Sequence, residues 1–325
     1  MSSNLVIWCN ANFSPAALSQ IEESVRPHRL VISQKQSASN LSVGGSDSSI
    51  AEADVALGQP TPQDAMQASK LRWVHLNSAG YTRYDTPEFR AALSGRGAML
   101  TNSSAVYAEP CAEHAFSFVL AQARQLPQSQ AEQLGARGWP ILERRAKSRL
   151  LLEQNVTLLG FGAIGRRLAE LLAPFHVQLT AVRRKVTQEL NVTILPDSQL
   201  AEAVAGADHV INILPENAGT RGLIDARIFG AMKPGACFYN IGRGTTVDQA
   251  ALLDALESGR LAAAYLDVTD PEPLPPEHPL WKAPNCFITP HTAGGFDVEE
   301  QALARHFLDN LQRFADGQPL HDRVI

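Results

Sequence analysis

Six residues, Gly160-Phe161-Gly162-Ala163-Ile164-Gly165, stand between an apolar run ending at Leu159 and a helical pattern carried by Ile164, Leu168, Leu171 and Leu172. Alone, a G-x-G-x-x-G string is a weak signal, because glycine is common. Between a strand and a helix it means more. The chain can then turn tightly, and the amides of the helix start, backed by the positive end of the helix dipole, face a pyrophosphate. Gly160, Gly162, Ala163, Ile164 and Gly165 are therefore read as cofactor-binding, and the segment as the opening of a dinucleotide-binding domain.

The surrounding strand signals fit that reading. Apolar runs at Val156–Leu159, Val177–Val182, His209–Leu214, Cys237–Ile241, Ala263–Val268 and Cys286–Thr289 suit buried parallel strands, and helical patterns separate most of them, as a doubly wound sheet requires. Upstream, Leu5–Cys9, Leu30–Ser33, Val55–Leu57, Trp73–Leu76 and Met99–Asn102 alternate with helix-like stretches in a smaller α/β unit. A helical pattern from near Glu109, with Ala112, Phe116, Val119, Leu120 and Ala123 on one face, joins the two. Leu303, Phe307, Leu311 and Phe314 give the last helix one apolar face, suited to packing back on the N-terminal unit. With 325 residues the chain has room for two domains. The expected boundaries are 1–101 with 292–325 for a flavodoxin-like substrate domain, and 102–291 for an inserted Rossmann-like domain.

Several function classes are disfavoured. No stretch approaches the roughly 20 apolar residues of a membrane span, and the N-terminus lacks the pattern of a secretory signal, so a cytoplasmic protein is expected. A formal net charge of -5 argues against a nucleic-acid surface. Cys9, Cys111, Cys237 and Cys286 are scattered without a C-x-x-C pair, which suggests neither a metal site nor a disulfide framework. Residues 125–150 are polar and basic, with Gly135, Gly138 and Pro140, a composition that fits either an arm reaching onto a partner subunit or a long surface loop.

Cofactor choice turns on the end of the second Rossmann strand, where an acidic residue would bond the ribose hydroxyls of NAD and repel a phosphate. Here the strand runs into Val182-Arg183-Arg184-Lys185, with Arg183 at the place expected for the acid. Guanidinium groups pair well with phosphate oxygens. Arg183, Arg184 and Lys185 thus favour NADP, with NAD as the weaker alternative; a solvated basic loop is the bland explanation.

Three further segments each follow a predicted strand: Asn240-Ile241-Gly242-Arg243-Gly244, Leu266-Asp267-Val268 followed by Pro271-Glu272-Pro273, and Thr289-Pro290-His291-Thr292-Ala293-Gly294. Ligands in open α/β sheets bind beyond the carboxyl ends of the strands. Singly, each polar residue reads as structural or solvated. In this order, with the Gly loop upstream, they resemble the D-isomer-specific 2-hydroxyacid dehydrogenase family. The likeness extends to Asn77-Ser78-Ala79-Gly80, Ala112-Glu113-His114, and Ile213-Leu214-Pro215 with Thr220.

The resemblance implies Arg243, Glu272 and His291 as the catalytic set. Reduction of a 2-oxo acid needs a proton for the carbonyl oxygen, which an imidazole supplies near neutral pH. His291 is the expected acid, Glu272 the carboxylate that holds it and raises its pKa, and Arg243 the group that grips the substrate carboxylate and polarises the carbonyl. Backbone amides near Ser78, Ala79 and Gly80 are implied as further carboxylate ligands. Leu214, Pro215, Thr220, Ile241, Gly242, Asp267 and Gly294 are implied to line the cofactor, with Asp267 at the nicotinamide carboxamide. Residues 125–150 resemble the family's dimerisation arm and imply a homodimer.

This chain departs from the family pattern in two places. Arg183 replaces the usual acid, and Gly242 stands where alanine commonly precedes the arginine. The expected activity is NADPH-dependent reduction of a small 2-oxo acid of the glyoxylate or hydroxypyruvate type to the D-2-hydroxy acid. Alternatives are a dinucleotide-sensing interaction protein of the same fold and a dehydrogenase of another small acid such as phosphite. Glu272 speaks against the related formate dehydrogenases, which carry glutamine there.

Overall fold

Local sequence rules account for much of the first unit. Helices Pro15–Ser24, Pro62–Gln67 and Pro87–Ser94 each open on a proline, with Ser14, Thr61 and Thr86 respectively as N-caps accepting a backbone amide two or three residues into the helix. Proline fixes a helical φ where no donor is needed, and the hydroxyl satisfies an amide that has no partner within the helix. The computed structural model of the protein describes residues 4–186 and 188–325. It divides into two compact units, residues 1–107 with 296–325, and residues 108–295.

In the first unit, β1 (Val6–Cys9), β2 (Arg29–Ile32), β3 (Val55–Leu57), β4 (Trp73–His75) and β5 (Met99–Thr101) form a parallel sheet in the order β2-β1-β3-β4-β5. This is the flavodoxin-like order. Helix Glu299–Ala315 returns to this unit and buries Leu303, Phe307, Leu311 and Phe314. The Trp73 ring stacks on Phe307 at 5.5 Å and on Phe314 at 5.4 Å between centroids. Burial of each such ring is worth roughly 1.5–3 kcal/mol, so the apolar stripe ties the chain's last helix to strands from its first third.

In the second unit, β6 (Asn155–Leu159), β7 (Gln178–Val182), β8 (Thr193–Leu195), β9 (His209–Asn212), β10 (Ala236–Asn240), β11 (Leu261–Leu266) and β12 (Cys286–Ile288) form a parallel sheet in the order β12-β11-β10-β9-β6-β7-β8. Strand order reverses between β6 and β9. Such a switch point opens a crevice at the carboxyl ends of the strands, and the Gly loop after β6 lies there.

Four elements differ from the sequence expectation. Strand β8 is a three-residue edge strand that was not expected; its residues are exposed or only partly buried, so no fully buried run marks it. Helix Ser104–Ala123 begins before Glu109, since its start is set by the Asn102 side chain accepting from the Ser104 amide at 3.2 Å, not by an apolar face. Residues 125–150 contain two helices, Leu126–Leu134 and Ile141–Lys147. Neither buries a residue, so no core-facing stripe announced them.

Cys9, Cys111 and Cys237 are buried and Cys286 half-buried, all as free thiols. Burial pushes the thiols of Cys9, Cys237 and Cys286 up to about 12, which leaves them protonated and unreactive near neutral pH. Among the described residues no cluster of His, Cys, Asp and Glu could hold a metal ion, and no helix is long and apolar enough to cross a membrane.

Candidate active site

The Gly loop has the backbone that its sequence requires. Gly160 sits at φ +104°, which residues with a Cβ rarely adopt, and a Cβ on Gly165 would meet the Gly160 carbonyl at 3.0 Å. Gly162 is the N-cap of helix Ala163–Leu172, and no side chain caps that end. A Cβ placed on Gly162 would meet nothing within 4 Å. Open space before uncapped helix amides fits a dinucleotide pyrophosphate.

Beside the loop, two buried asparagines organise the ends of β9 and β10. Asn212 donates to Asn240 Oδ1 and to Thr246 Oγ1, both at 2.8 Å, and accepts from the Leu214 amide at 3.2 Å. Asn240 accepts from the Gly242 amide at 3.1 Å and donates to the Arg243 carbonyl at 3.3 Å; Thr246 also donates to that carbonyl, at 2.7 Å. The network fixes Leu214 and the Ile241–Arg243 turn together. Sequence reasoning gave Asn212 no role, although a polar residue ending an otherwise apolar strand was a usable signal. A Cβ on Gly242 would meet the Leu214 carbonyl at 2.7 Å, so glycine there lets two backbone segments of this chain approach closely.

Arg243, Glu272 and His291 all project from strand-end loops of the second unit. His291 Nδ1 and Glu272 Oε2 are 2.7 Å apart, and Glu272 Oε1 accepts the Thr269 amide at 3.1 Å. Burial opposes ionisation of Glu272, but the bonds from His291 and Thr269 and the charge of Arg243 outweigh it, so the carboxyl is held below its ordinary range. Arg243 is itself desolvated, which lowers its pKa from the ordinary value against the opposing pull of Glu272. Its Nη1 donates to the Gly242 carbonyl at 2.6 Å.

His291 occupies the left-handed region, φ +53°. Backbone strain of this kind persists only when the surroundings enforce it. They do so here: the His291 amide donates to the Asp267 carbonyl at 2.8 Å, and the Asp267 carboxylate accepts from Thr289 Oγ1 at 2.7 Å, the Thr292 amide at 2.8 Å and the Ala293 amide at 3.0 Å. Asp267 is buried, and it holds the His291 loop in place. His114 adds a contact to Thr289 at 3.3 Å and lies 3.6 Å from Asp267. Its place in the site was not anticipated beyond the Ala112-Glu113-His114 motif.

The other expected residues have their own local surroundings. Thr220 donates to the Pro215 carbonyl at 2.7 Å, shaping the loop after Leu214. Ile241 is buried, while Gly294 is half-buried in the His291 loop. Arg183 follows β7 and lies 3.8 Å from Glu189, whereas Arg184 and Lys185 are exposed. Ser78, Ala79 and Gly80 belong to the first unit, after β4. Ser78 Oγ donates to the Gly80 carbonyl at 2.8 Å, and Asn102 donates to the Ala79 carbonyl at 2.7 Å.

A Rossmann sheet with a Gly loop at its switch point, and an Arg, Glu and His on neighbouring strand-end loops, define a dinucleotide-dependent oxidoreductase. Residues 116–293 match the family model described as D-isomer specific 2-hydroxyacid dehydrogenase, NAD binding domain. The chain belongs to that family. The glyoxylate reductase/hydroxypyruvate reductase of Mus musculus is 37% identical over 231 residues, 69% of this chain and 69% of the mouse protein. A D-isomer specific 2-hydroxyacid dehydrogenase from Xanthobacter autotrophicus Py2, solved in complex with NADPH and MES, superposes with a TM-score of 0.80 at 25% identity, covering 99% of this chain and 98% of that one. A family protein from Klebsiella pneumoniae 342 has a TM-score of 0.77 at 27% identity, covering 100% of this chain and 98% of the other.

Proposed function

We propose that this protein reduces a small 2-oxo acid of the glyoxylate or hydroxypyruvate type to the D-2-hydroxy acid, with NADPH preferred over NADH. The 2.7 Å pair of His291 and Glu272 carries the reading. It leaves His291 Nε2 to present a proton to a carbonyl oxygen, while the ionised Glu272 stabilises the charged imidazole. Arg243 supplies a fixed fork of donors for the substrate carboxylate and the developing oxyanion. Backbone amides at Ser78, Ala79 and Gly80 are proposed as carboxylate ligands.

When bound, the reduced nicotinamide supplies the hydride. The proposed cofactor ligands are the Gly160–Gly165 loop for the pyrophosphate, Leu214, Pro215 and Thr220 beside it, Ile241, Gly242 and Gly294 near the catalytic loops, and Arg183, Arg184 and Lys185 for the 2′-phosphate. Asp267 is assigned chiefly to holding the His291 loop. Steady-state rates with NADPH and NADH across a panel of 2-oxo acids test the activity. No NADPH oxidation with any member would sink it. Arg183→Ala is expected to raise the KM for NADPH about tenfold, the loss of one charge-assisted contact, and to leave the KM for NADH within twofold. Equal weakening of the two would refute the phosphate assignment.

A homodimer is part of the same proposal. Leu134, Trp139, Ile141 and Leu142 are exposed on residues 125–150, with Trp139 at 88% and Leu142 at 80%. Such apolar exposure on a segment whose helices bury no residue fits burial against a second copy. Light scattering is expected to give twice the 35.2 kDa chain mass, and Trp139→Lys with Leu142→Lys to give the single mass; a monomeric native protein would reject this.

A further inference from the structure

The basic cluster after β7 does not stand without its own anion. Glu189 lies 2.6 Å from Arg166 through one carboxylate oxygen and 3.8 Å from Arg183 through the other. Arg166 immediately follows the last glycine of the Gly loop, and its guanidinium sits over the Phe161 ring at 5.2 Å from the centroid. Phe161 is buried and so gives that guanidinium a fixed platform. Glu189 is brought back toward the arginines by a short antiparallel bridge to Val192, closed through Asn191 in the left-handed region. A guanidinium from the helix after the Gly loop and one from the end of β7 thus share one half-buried carboxylate, at the end of the strand where the adenosine ribose of a dinucleotide is recognised in this fold.

We propose that Glu189 is a resident counter-ion of the 2′-phosphate site, that Arg166 is a second arm of that site with Arg183, and that the phosphate binds by displacing the Glu189 carboxylate. The inference rests on the NADPH reading above and deepens it. A carboxylate bridging two arginines presents the same charge-assisted acceptors as a phosphate does. It keeps the two cations together when no phosphate is present, and its displacement reduces the affinity gained from a 2′-phosphate. Glu189 therefore sets how strongly the protein discriminates between the two nicotinamide cofactors. No equivalent penalty applies to a ligand with a free 2′-hydroxyl, which leaves the Glu189 pairs intact.

Calorimetric titration with adenosine 2′,5′-bisphosphate and with 5′-AMP tests this without turnover. The native protein is expected to bind the bisphosphate about tenfold more tightly. Glu189→Gln is expected to tighten the bisphosphate about threefold to fivefold, the range spanned by one partly exposed ion pair, with 5′-AMP unchanged. Arg166→Gln is expected to weaken the bisphosphate about tenfold and to leave 5′-AMP within twofold. Equal binding of the two nucleotides by the native protein would overturn the NADPH reading itself. Discrimination by the native protein with no gain in Glu189→Gln would overturn the counter-ion role alone. Weaker 5′-AMP binding in Glu189→Gln would make Glu189 a ribose ligand, which also overturns it.

Discussion

His291→Ala is expected to lower kcat by about 10²–10⁴-fold, the usual contribution of a positioned general acid, while the Kd for NADPH stays within twofold. The separation of the two readouts follows from the geometry. His291 is fixed by the hydrogen bond its backbone N–H donates to the Asp267 carbonyl and by its side-chain hydrogen bond with Glu272, and none of these groups belongs to the Gly loop. Stopped-flow binding and steady-state turnover on the same preparation check it. Retention of more than a tenth of the native kcat would remove His291 from proton transfer.

The same pair carries a pH signature through Glu272. Its folded carboxyl is held below the ordinary glutamate range, so its contribution to stability is fully present above that range and is lost as pH falls through the depressed value. A difference in urea midpoint between the native protein and Glu272→Gln at pH 7 should therefore shrink only below the ordinary glutamate range. A difference already gone at pH 6 would show that the ionised pair does not form.

The second large effect belongs to Arg243. Arg243→Lys keeps the charge but loses the planar fork, and is expected to lower kcat/KM for the 2-oxo acid by about 10²–10³-fold, the range for losing a donor aimed at a developing oxyanion. Cofactor affinity should change little, because Asn240 and Thr246 hold the turn bearing Arg243 through its backbone carbonyl, in addition to the guanidinium bond to the Gly242 carbonyl. Single-turnover rates at saturating NADPH separate the two quantities. A kcat/KM within threefold of native would mean that Arg243 does not touch the substrate.

Much of this architecture was legible in the chain. Apolar runs separated by helical patterns specify a parallel sheet because each such strand is covered on both faces, and the Gly loop marks which strand begins the nucleotide fold. The two helices of residues 125–150 were not legible, since helices that bury nothing leave no periodic stripe. The three-residue β8 was equally silent.

Arg243, Glu272 and His291 could be singled out from sequence because chemistry demands those residue types after strands, and family likeness supplied their order. Only the tertiary structure decided what holds them. Distances of 2.7 Å between side chains 19 positions apart, the left-handed backbone of His291, and the Asn212–Asn240–Thr246 network all depend on which strands become neighbours. The basic segment shows the division most clearly. Its sequence set its charge, because charge follows from residue type alone. That Glu189 pairs with both Arg166 and Arg183 was settled by the fold, because an ion pair exists only where the chain brings its partners within reach.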